Sequence, residues 1–239
     1  MSSQPAWSGA EYGISGPGFP CAPSGQRPEA APMLRDCRDD DAEAIVRIAL
    51  AAFAEFEQHY SDWPLFTANA AKMPQLAKTG EIVIAEDGGQ IIGAVAYMGP
   101  QAPKPAFFDP SWPVIRMLVV DPAARGKGIG RQLTEECVRR AERDQSPVIA
   151  LHTTTIMTVA LPMYLRMGFV RVRDAPDILG VPYARLCQVA RLKTAEIEDA
   201  VAAFARDLDI KAFEDCISRG HQVIEIRALV EAALFHRAS

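Results

Sequence analysis

The chain has 239 residues, a formal net charge of −5 and 49% hydrophobic residues, which suits a soluble globular protein with one good core and room for an appendage. The acidic balance gives no footprint for general nucleic-acid binding, and no stretch reaches the roughly 18 to 20 apolar residues that a membrane span needs. The five cysteines (Cys21, Cys37, Cys137, Cys187, Cys216) are scattered, odd in number and without a C-x-x-C pair, which argues for reduced thiols in a cytosolic protein and against a disulfide scaffold or zinc site.

Residues 1–31 are dominated by Gly, Pro, Ser and Ala and read as a disordered leader, because they cannot bury enough apolar surface to offset ordering. No basic start followed by an apolar run opens them, so no signal peptide is expected. Met33 to Arg38 predicts a first strand. Asp39, Asp40 and Asp41 then open a helix through about Glu57, their carboxylates favouring its N-terminus, with Ile45, Ile48, Ala52 and Phe56 on one face. A second helix is expected within Trp63 to Lys78. Glu81 to Ala85 and Ile91 to Tyr97 read as strands joined at Asp87-Gly88-Gly89, a hairpin signal. The proline-rich stretch Gly99 to Pro113 reads as an irregular loop.

Val114 to Val120 is rich in β-branched residues, too short for a typical helix, and reads as an interior strand ended by Pro122. Beyond a basic, glycine-spaced turn, Ile129, Leu133, Cys137, Val138 and Ala141 recur at helical spacing. Pro147 to Thr153 predicts a fifth strand. Met157 to Met167 predicts a helix closed by Gly168. Phe169 to Arg173 and Tyr183 to Leu192 predict the sixth and seventh strands. Residues 194–239 follow as a helical hairpin broken near Gly220, with nine acidic against five basic residues.

The turn is the most informative feature. Gly126, Gly128 and Gly130 have no Cβ, so an anion can approach the backbone, and Arg125 and Lys127 add charge at a helix N-terminus. A plain strand–helix turn with solvated cations has the same local composition. A Walker A loop is excluded, because Gly130 is followed by Arg131 rather than Lys-Ser or Lys-Thr. The spacing is G-x-G-x-G, not the G-x-G-x-x-G of a dinucleotide fold.

Arg125-Gly126-Lys127-Gly128-Ile129-Gly130 after Val120-Asp121-Pro122 fits R-x-x-G-x-G and resembles the acetyl-CoA signature of the GCN5-related N-acetyltransferases, the GNAT family. Ala160 to Phe169, ALPMYLRMGF, is similar to that family's A-x-x-l-Y-x-x-x-G-F and stands at the right interval. The resemblance covers about residues 32–192. It implies an α/β (α+β) GNAT-like acyl-CoA N-acyltransferase fold, a mixed sheet flanked by helices, over domain 32–193, between the leader and the extension. It also implies acetyl-CoA as cosubstrate, with the backbone of Leu118, Val119 and Val120 pairing with the pantetheine arm. The turn Arg125, Gly126, Lys127, Gly128, Ile129 and Gly130 would hold the pyrophosphate.

Tyr164 falls on the family's tyrosine, which commonly protonates the leaving thiolate; a phenol with a pKa of about 10 stays protonated at neutral pH. Where many members carry a glutamate on the fourth strand, this chain has Arg116 and no carboxylate. His152, near the end of the fifth strand, is the candidate base, and Glu55, Glu57, His59 and Tyr60 cluster where members form the acceptor pocket. Met157 stands where members often have an asparagine that contacts the cofactor arm. The acceptor side is expected to come from loops at about Phe56 to Leu65, Gly99 to Pro113 and Asp174 to Pro182.

These readings imply an N-acetyltransferase acting on a primary amine of a small molecule or peptide, with no metal. A protein N-terminal or lysine acetyltransferase and a non-catalytic acyl-CoA-binding regulatory module are the alternatives. The family's habit and the apolar stripes of the tail point to a homodimer.

Overall fold

A computed structural model describes residues 32–146 and 148–189. The expected leader, 1–31, and helical extension, 194–239, lie outside the described residues.

The chain begins with β1 (Met33–Asp36) and a single 3₁₀ turn, Asp39–Asp41, before α1 (Ala42–Phe53). Of the three aspartates, Asp41 is the buried one. Its carboxylate accepts from Arg35 Nη1 and Nη2 at 2.7 and 2.9 Å and from the Arg38 N–H at 2.7 Å. Those bonds, the Arg35 pair first, hold the Asp41 carboxyl below its ordinary range. Ile45, Ile48, Ala49 and Ala52 form the buried face of α1. The helix gives way at Ala54 to a 3₁₀ segment, Ala54–His59, rather than running to Glu57. α2 (Trp63–Ala70) is capped by the Asp62 carboxylate, which accepts from the Leu65 N–H at 2.9 Å.

β2 (Glu81–Asp87) and β3 (Gln90–Met98) pair antiparallel across Gly88 and Gly89, both at positive φ, as a two-residue hairpin requires. β4 (Val114–Val120), α3 (Ile129–Arg143), β5 (Val148–Thr153), α4 (Ala160–Arg166), β6 (Val170–Ile178) and β7 (Val181–Val189) complete the described chain. One seven-stranded sheet results, in the order β1-β2-β3-β4-β5-β7-β6. Only β4 and β5 among neighbours run parallel.

Two layers of helix cover the sheet. Ile129, Leu133, Cys137 and Ala141 of α3 pack with Tyr164 of α4 against Ile115, Ile149, Leu151 and Leu186 on one face. On the other, α1 and α2 pack against Ile82, Ile84, Ala94, Ala96 and Val119. The C-terminal end of α3 is tied to the sheet. Arg140, 8% exposed, reaches Asp36, Glu81 and Glu136, and Arg143 bonds Glu81 at 2.6 Å. Anchoring that end sets where the glycine turn at the other end of the helix must lie.

Three further elements depart from the sequence-based expectation. α4 begins at Ala160, not Met157; Met157 sits in the preceding turn with its N–H bonded to the Thr154 carbonyl at 3.1 Å. Asp174 to Pro182 is not a loop but the distal half of a β6–β7 ribbon, turned at Leu179 and Gly180, both at positive φ. Pro176 is tolerated there because β6 is the edge strand of the sheet. β4 carries a bulge: Ala94 faces Val119 and Ala96 faces Arg116, so β4 has one residue more than β3, and Met117 lies at φ 53°.

Candidate active site

β4 and β5 stay together for two register pairs only, Val114 with Ala150 and Ile115 with Leu151. The ladder ends there, and the bulge at Met117 bends β4 at that point. From Arg116 onward the β5-facing edge of β4 has no strand partner, so backbone groups of Leu118 to Val120 open into a wedge. Leu118 and Val120 are half-buried against the α3 face, and Val119 is buried on the α1 face. The side chains pack while the backbone edge stays open.

The wedge leads straight into the turn. Asp121 accepts from the Ala123 N–H at 3.0 Å and starts a 3₁₀ turn, Pro122–Ala124. Gly126 and Gly128 follow at φ +83° and +77°, and a Cβ on either would meet nothing within 4 Å. Gly128 caps α3, whose first amides have no carbonyl one turn earlier to bond. A Cβ on Gly130 would touch Met163, Val120 and Leu118 at 3.6 to 3.8 Å, so this glycine brings α3 close to β4 and α4. Lys127 is exposed. The Arg125 guanidinium is turned toward α1: it bonds the Ala52 carbonyl at 3.0 Å and Glu55 at 2.7 Å. An exposed run of amides at a helix N-terminus, continuous with an open strand edge, is chemistry that can bind an anion and pair with an extended, amide-bearing arm.

Tyr164 lies on the α3 face, 5% exposed, with its ring edge-to-face on Phe169 at 5.7 Å. Its hydroxyl has no hydrogen-bond partner among the described residues, and burial raises its pKa, so it stays protonated at any physiological pH.

His152 occupies the opposite face. Its ring is stacked on Phe107 at 5.7 Å, tilted against Phe108 at 5.9 Å and edge-on to Tyr183 at 5.3 Å. Its Nδ1 is buried without a partner. Burial, and then the nearby Arg116 charge, push its pKa down to about 4. The imidazole is therefore neutral at pH 7 and a weak base.

The walls around His152 come from distant segments. Tyr60 and Tyr183 share a hydrogen bond of 2.6 Å between their hydroxyls. Tyr60, Trp63 and Phe66 stack at 4.0 to 6.1 Å. Ser61 donates N–H and hydroxyl bonds, both 2.9 Å, to the Leu179 carbonyl and ties the ribbon tip to the start of α2. Gly99 to Pro113 is irregular, as expected, yet ordered around one cation. The Lys104 ammonium donates to the carbonyls of Gly99, Pro110 and Trp112 at 3.0, 3.0 and 2.6 Å. Phe108 and Trp112 bury themselves beneath it, and Arg185 holds the Phe107 carbonyl.

The two candidate catalytic side chains thus lie on opposite faces, with the wedge between. Of the polar cluster expected at the end of α1, Tyr60 is buried in the aromatic wall, Glu55 is paired with Arg125, and Glu57 and His59 are exposed. Trp63, Phe107, Tyr183, Lys104 and the bulge at Met117 carry no local motif and escape a reading by pattern. Among the described residues no group of three or more His, Cys, Asp or Glu is placed to hold a metal ion, and no helix is long and apolar enough to cross a membrane.

The model of the acetyltransferase (GNAT) family matches residues 42–169. Solved structures share the fold. One is a Corynebacterium glutamicum protein, histone acetyltransferase HPA2 and related acetyltransferase, 25% identical with a TM-score of 0.53, the match covering 69% of this chain and 99% of that one. A GCN5-related N-acetyltransferase from Rhodopseudomonas palustris is 19% identical with a TM-score of 0.54, over 69% and 99% of the two chains. YncA from Salmonella typhimurium, solved with its cofactor acetyl-CoA, is 18% identical with a TM-score of 0.51, over 69% and 97%. No protein of curated function matches the sequence.

Proposed function

Because the chain belongs to the GNAT acetyltransferase family, we propose that it moves an acetyl group from acetyl-CoA to a primary amine of a small molecule or peptide, with both reactants bound at once. The observation that carries this reading is the end of the β4–β5 ladder at Ile115 and Leu151, immediately before a strand edge that runs into the glycine turn.

Bound acetyl-CoA supplies an activated acetyl thioester; the remaining work belongs to the chain. Backbone groups of Leu118, Val119 and Val120 hold the pantetheine arm, and the amides of the Arg125 to Gly130 turn hold the pyrophosphate. One β4 N–H donates to the thioester carbonyl, a contact of the kind worth about 10² to 10³ in rate. Holding both reactants in the wedge supplies proximity. As the amine nitrogen bonds the acetyl carbon and the C–S bond breaks, Tyr164 donates its hydroxyl proton to the departing sulfur, and the proton shed by the nitrogen passes to water, from which Tyr164 is reprotonated. Its unbonded hydroxyl is available for that contact. His152 takes a narrower role than a general base. At a pKa of about 4 it stores no proton near pH 7, but as a neutral imidazole it accepts a hydrogen bond from the incoming amine, which must arrive uncharged.

One observation favours a second reading. No carboxylate among the described residues faces His152 or Arg116, so a family fold that binds acyl-CoA without turnover has support too. Calorimetric titration of the full chain with acetyl-CoA, against dephospho-CoA and ATP, followed by mass spectrometry of an amine panel, separates the two. Saturable binding with acetylated product supports the enzyme. Saturable binding with no product supports the binding module. No binding by folded protein overturns both.

A further inference from the structure

We propose, resting on the acetyltransferase reading, that the amine acceptor also carries a carboxylate, and that Arg116 holds it. The acceptor class is then an amino acid or a similarly short amino carboxylate.

Arg116 and His152 directly follow the last β4–β5 register pair. Ile115 and Leu151 pack into the α3 face, so the next side chain on each strand turns to the opposite face. There the two flank the mouth of the wedge. The bulge at Met117 keeps Arg116 and Met117 together on that face, where Met117 packs beside α1 and Met157. Arg116 thus lies beside the stretch of β4 that would carry the thioester.

Its electrostatic setting is unlike that of Arg35 and Arg140, which are also buried or half-buried. Arg35 has Asp41 and Glu86, and Arg140 has Asp36, Glu81 and Glu136. Even the exposed Arg47, Arg131 and Arg139 have carboxylates within 3.3 Å. Arg116 has no hydrogen bond or ion pair among the described residues, and burial alone lowers its pKa. The groups beside it offer no compensation: His152 is neutral and set among the rings of Phe107, Phe108 and Tyr183, and Arg185, opposite His152 on β7, is a second cation, turned to the Phe107 carbonyl. Of the acids on the neighbouring segments, Glu55 pairs with Arg125, Asp174 with Arg171, Asp62 caps α2 and Asp109 accepts from Ser111, while Glu57 and Asp177 are exposed; none is bonded to Arg116. A half-buried cation without a counter-ion is costly and is relieved by an anion that enters with a ligand. A single planar guanidinium fork suits a singly charged carboxylate. With the anion at Arg116 and the amine at the adjacent thioester, the two groups sit a few bonds apart on one small molecule.

The test uses the full chain, acetyl-CoA and pairs of acceptors: each proteinogenic amino acid against its own amide, with products read by mass spectrometry. Rates are compared at equal concentrations of neutral amine, since the amide loses its proton more readily. The expected result is a kcat/KM at least about 30-fold higher for the preferred acid than for its amide, the range for losing one partner of a buried ion pair. Arg116→Met should bring that ratio near one by raising KM for the acid, and Arg116→Lys should restore part of it. Acetyl-CoA titration checks that each variant is folded and loaded. Equal use of acid and amide by the unaltered protein overturns the inference and leaves the transferase reading standing. So does an Arg116→Met variant that loses acetyl-CoA instead of the acid preference, which would give Arg116 to the cofactor. No acetylation of any member by protein that binds acetyl-CoA overturns both.

Discussion

Between β4 and α3 the protein presents main chain: an open strand edge, then a run of amides around Gly126 and Gly128 with nothing where a Cβ would stand. Across the sheet, around Arg116 and His152, it presents side chains gathered from the start of α2, the 99–113 loop, β5 and β7. The first region depends on backbone conformation that a few consecutive residues dictate. The second depends on supports tens of residues apart, each holding a group it does not neighbour in sequence. A site of the first kind is general, because backbone amides bind the common part of a ligand. A site of the second kind is particular, because its charges and rings are what distinguish one acceptor from another.

The comparison breaks most sharply at Gly128. Gly128→Glu puts a carboxylate into the open space beside the turn and a Cβ at φ +77°, where a side chain costs about 1 kcal/mol or more. Acetyl-CoA affinity should fall more than about 100-fold by calorimetry, about 2.7 kcal/mol. Unchanged affinity would remove the turn from the binding site.

Tyr164 belongs to the backbone-built side but acts through a side chain. Tyr164→Phe should lower kcat about 100-fold while acetyl-CoA affinity stays within about twofold. The hydroxyl has no partner to lose, so the melting temperature should hold or rise. A fall in affinity alone would deny the proton-donor role.

His152 sharpens the contrast through pH. Its folded pKa, about 4, lies below the ordinary 6.5, so the unfolded chain binds the proton more tightly. Its contribution to stability is complete above about pH 6.5 and is lost as pH falls toward 4. His152→Leu should therefore lose less stability than the parent on going from pH 7 to pH 5, by about 2 kcal/mol in paired denaturant titrations. Equal losses would mean the ring is not buried as a neutral group.

Lys104 tests the supports. Its three carbonyl bonds close the 99–113 loop on which Phe107 and Phe108 ride. Lys104→Met should cost about 1 to 2 kcal/mol, speed amide exchange in that loop and raise acceptor KM without changing acetyl-CoA affinity. Matched losses on both ligands would show that the two regions are not independent.

The same contrast explains what was legible in the sequence. The element order, the hairpin at Gly88-Gly89, β4, the glycine turn and α3 follow from local periodicity and turn chemistry, which neighbouring residues determine together. The bulge at Met117 has no glycine to announce it and exists because β3 and β4 differ by one residue in register. The β6–β7 ribbon runs past Asp174 because each strand supplies the other's partners, and its tip is held by Ser61, more than a hundred residues away. Arg116 was visible as the wrong residue for a base. Its isolation was not, since a missing counter-ion is a property of every segment packed around it.

Arg125 yields the smallest effect and the finest distinction. In the family signature it stands among the cofactor residues, yet its guanidinium bonds the Ala52 carbonyl and Glu55. If the turn binds through amides, Arg125→Ala removes only a surface ion pair and one bond to the Ala52 carbonyl, with Arg125 and Glu55 side chains 36% and 49% exposed. Stability should then fall by less than about 1 kcal/mol, and acetyl-CoA affinity should change by less than about threefold. A tenfold or larger loss of affinity at unchanged stability would mean that the guanidinium leaves Glu55 for the pyrophosphate when the ligand arrives. The turn would then be a side-chain site as well, freeing the Glu55 carboxylate on the acceptor side each time acetyl-CoA binds.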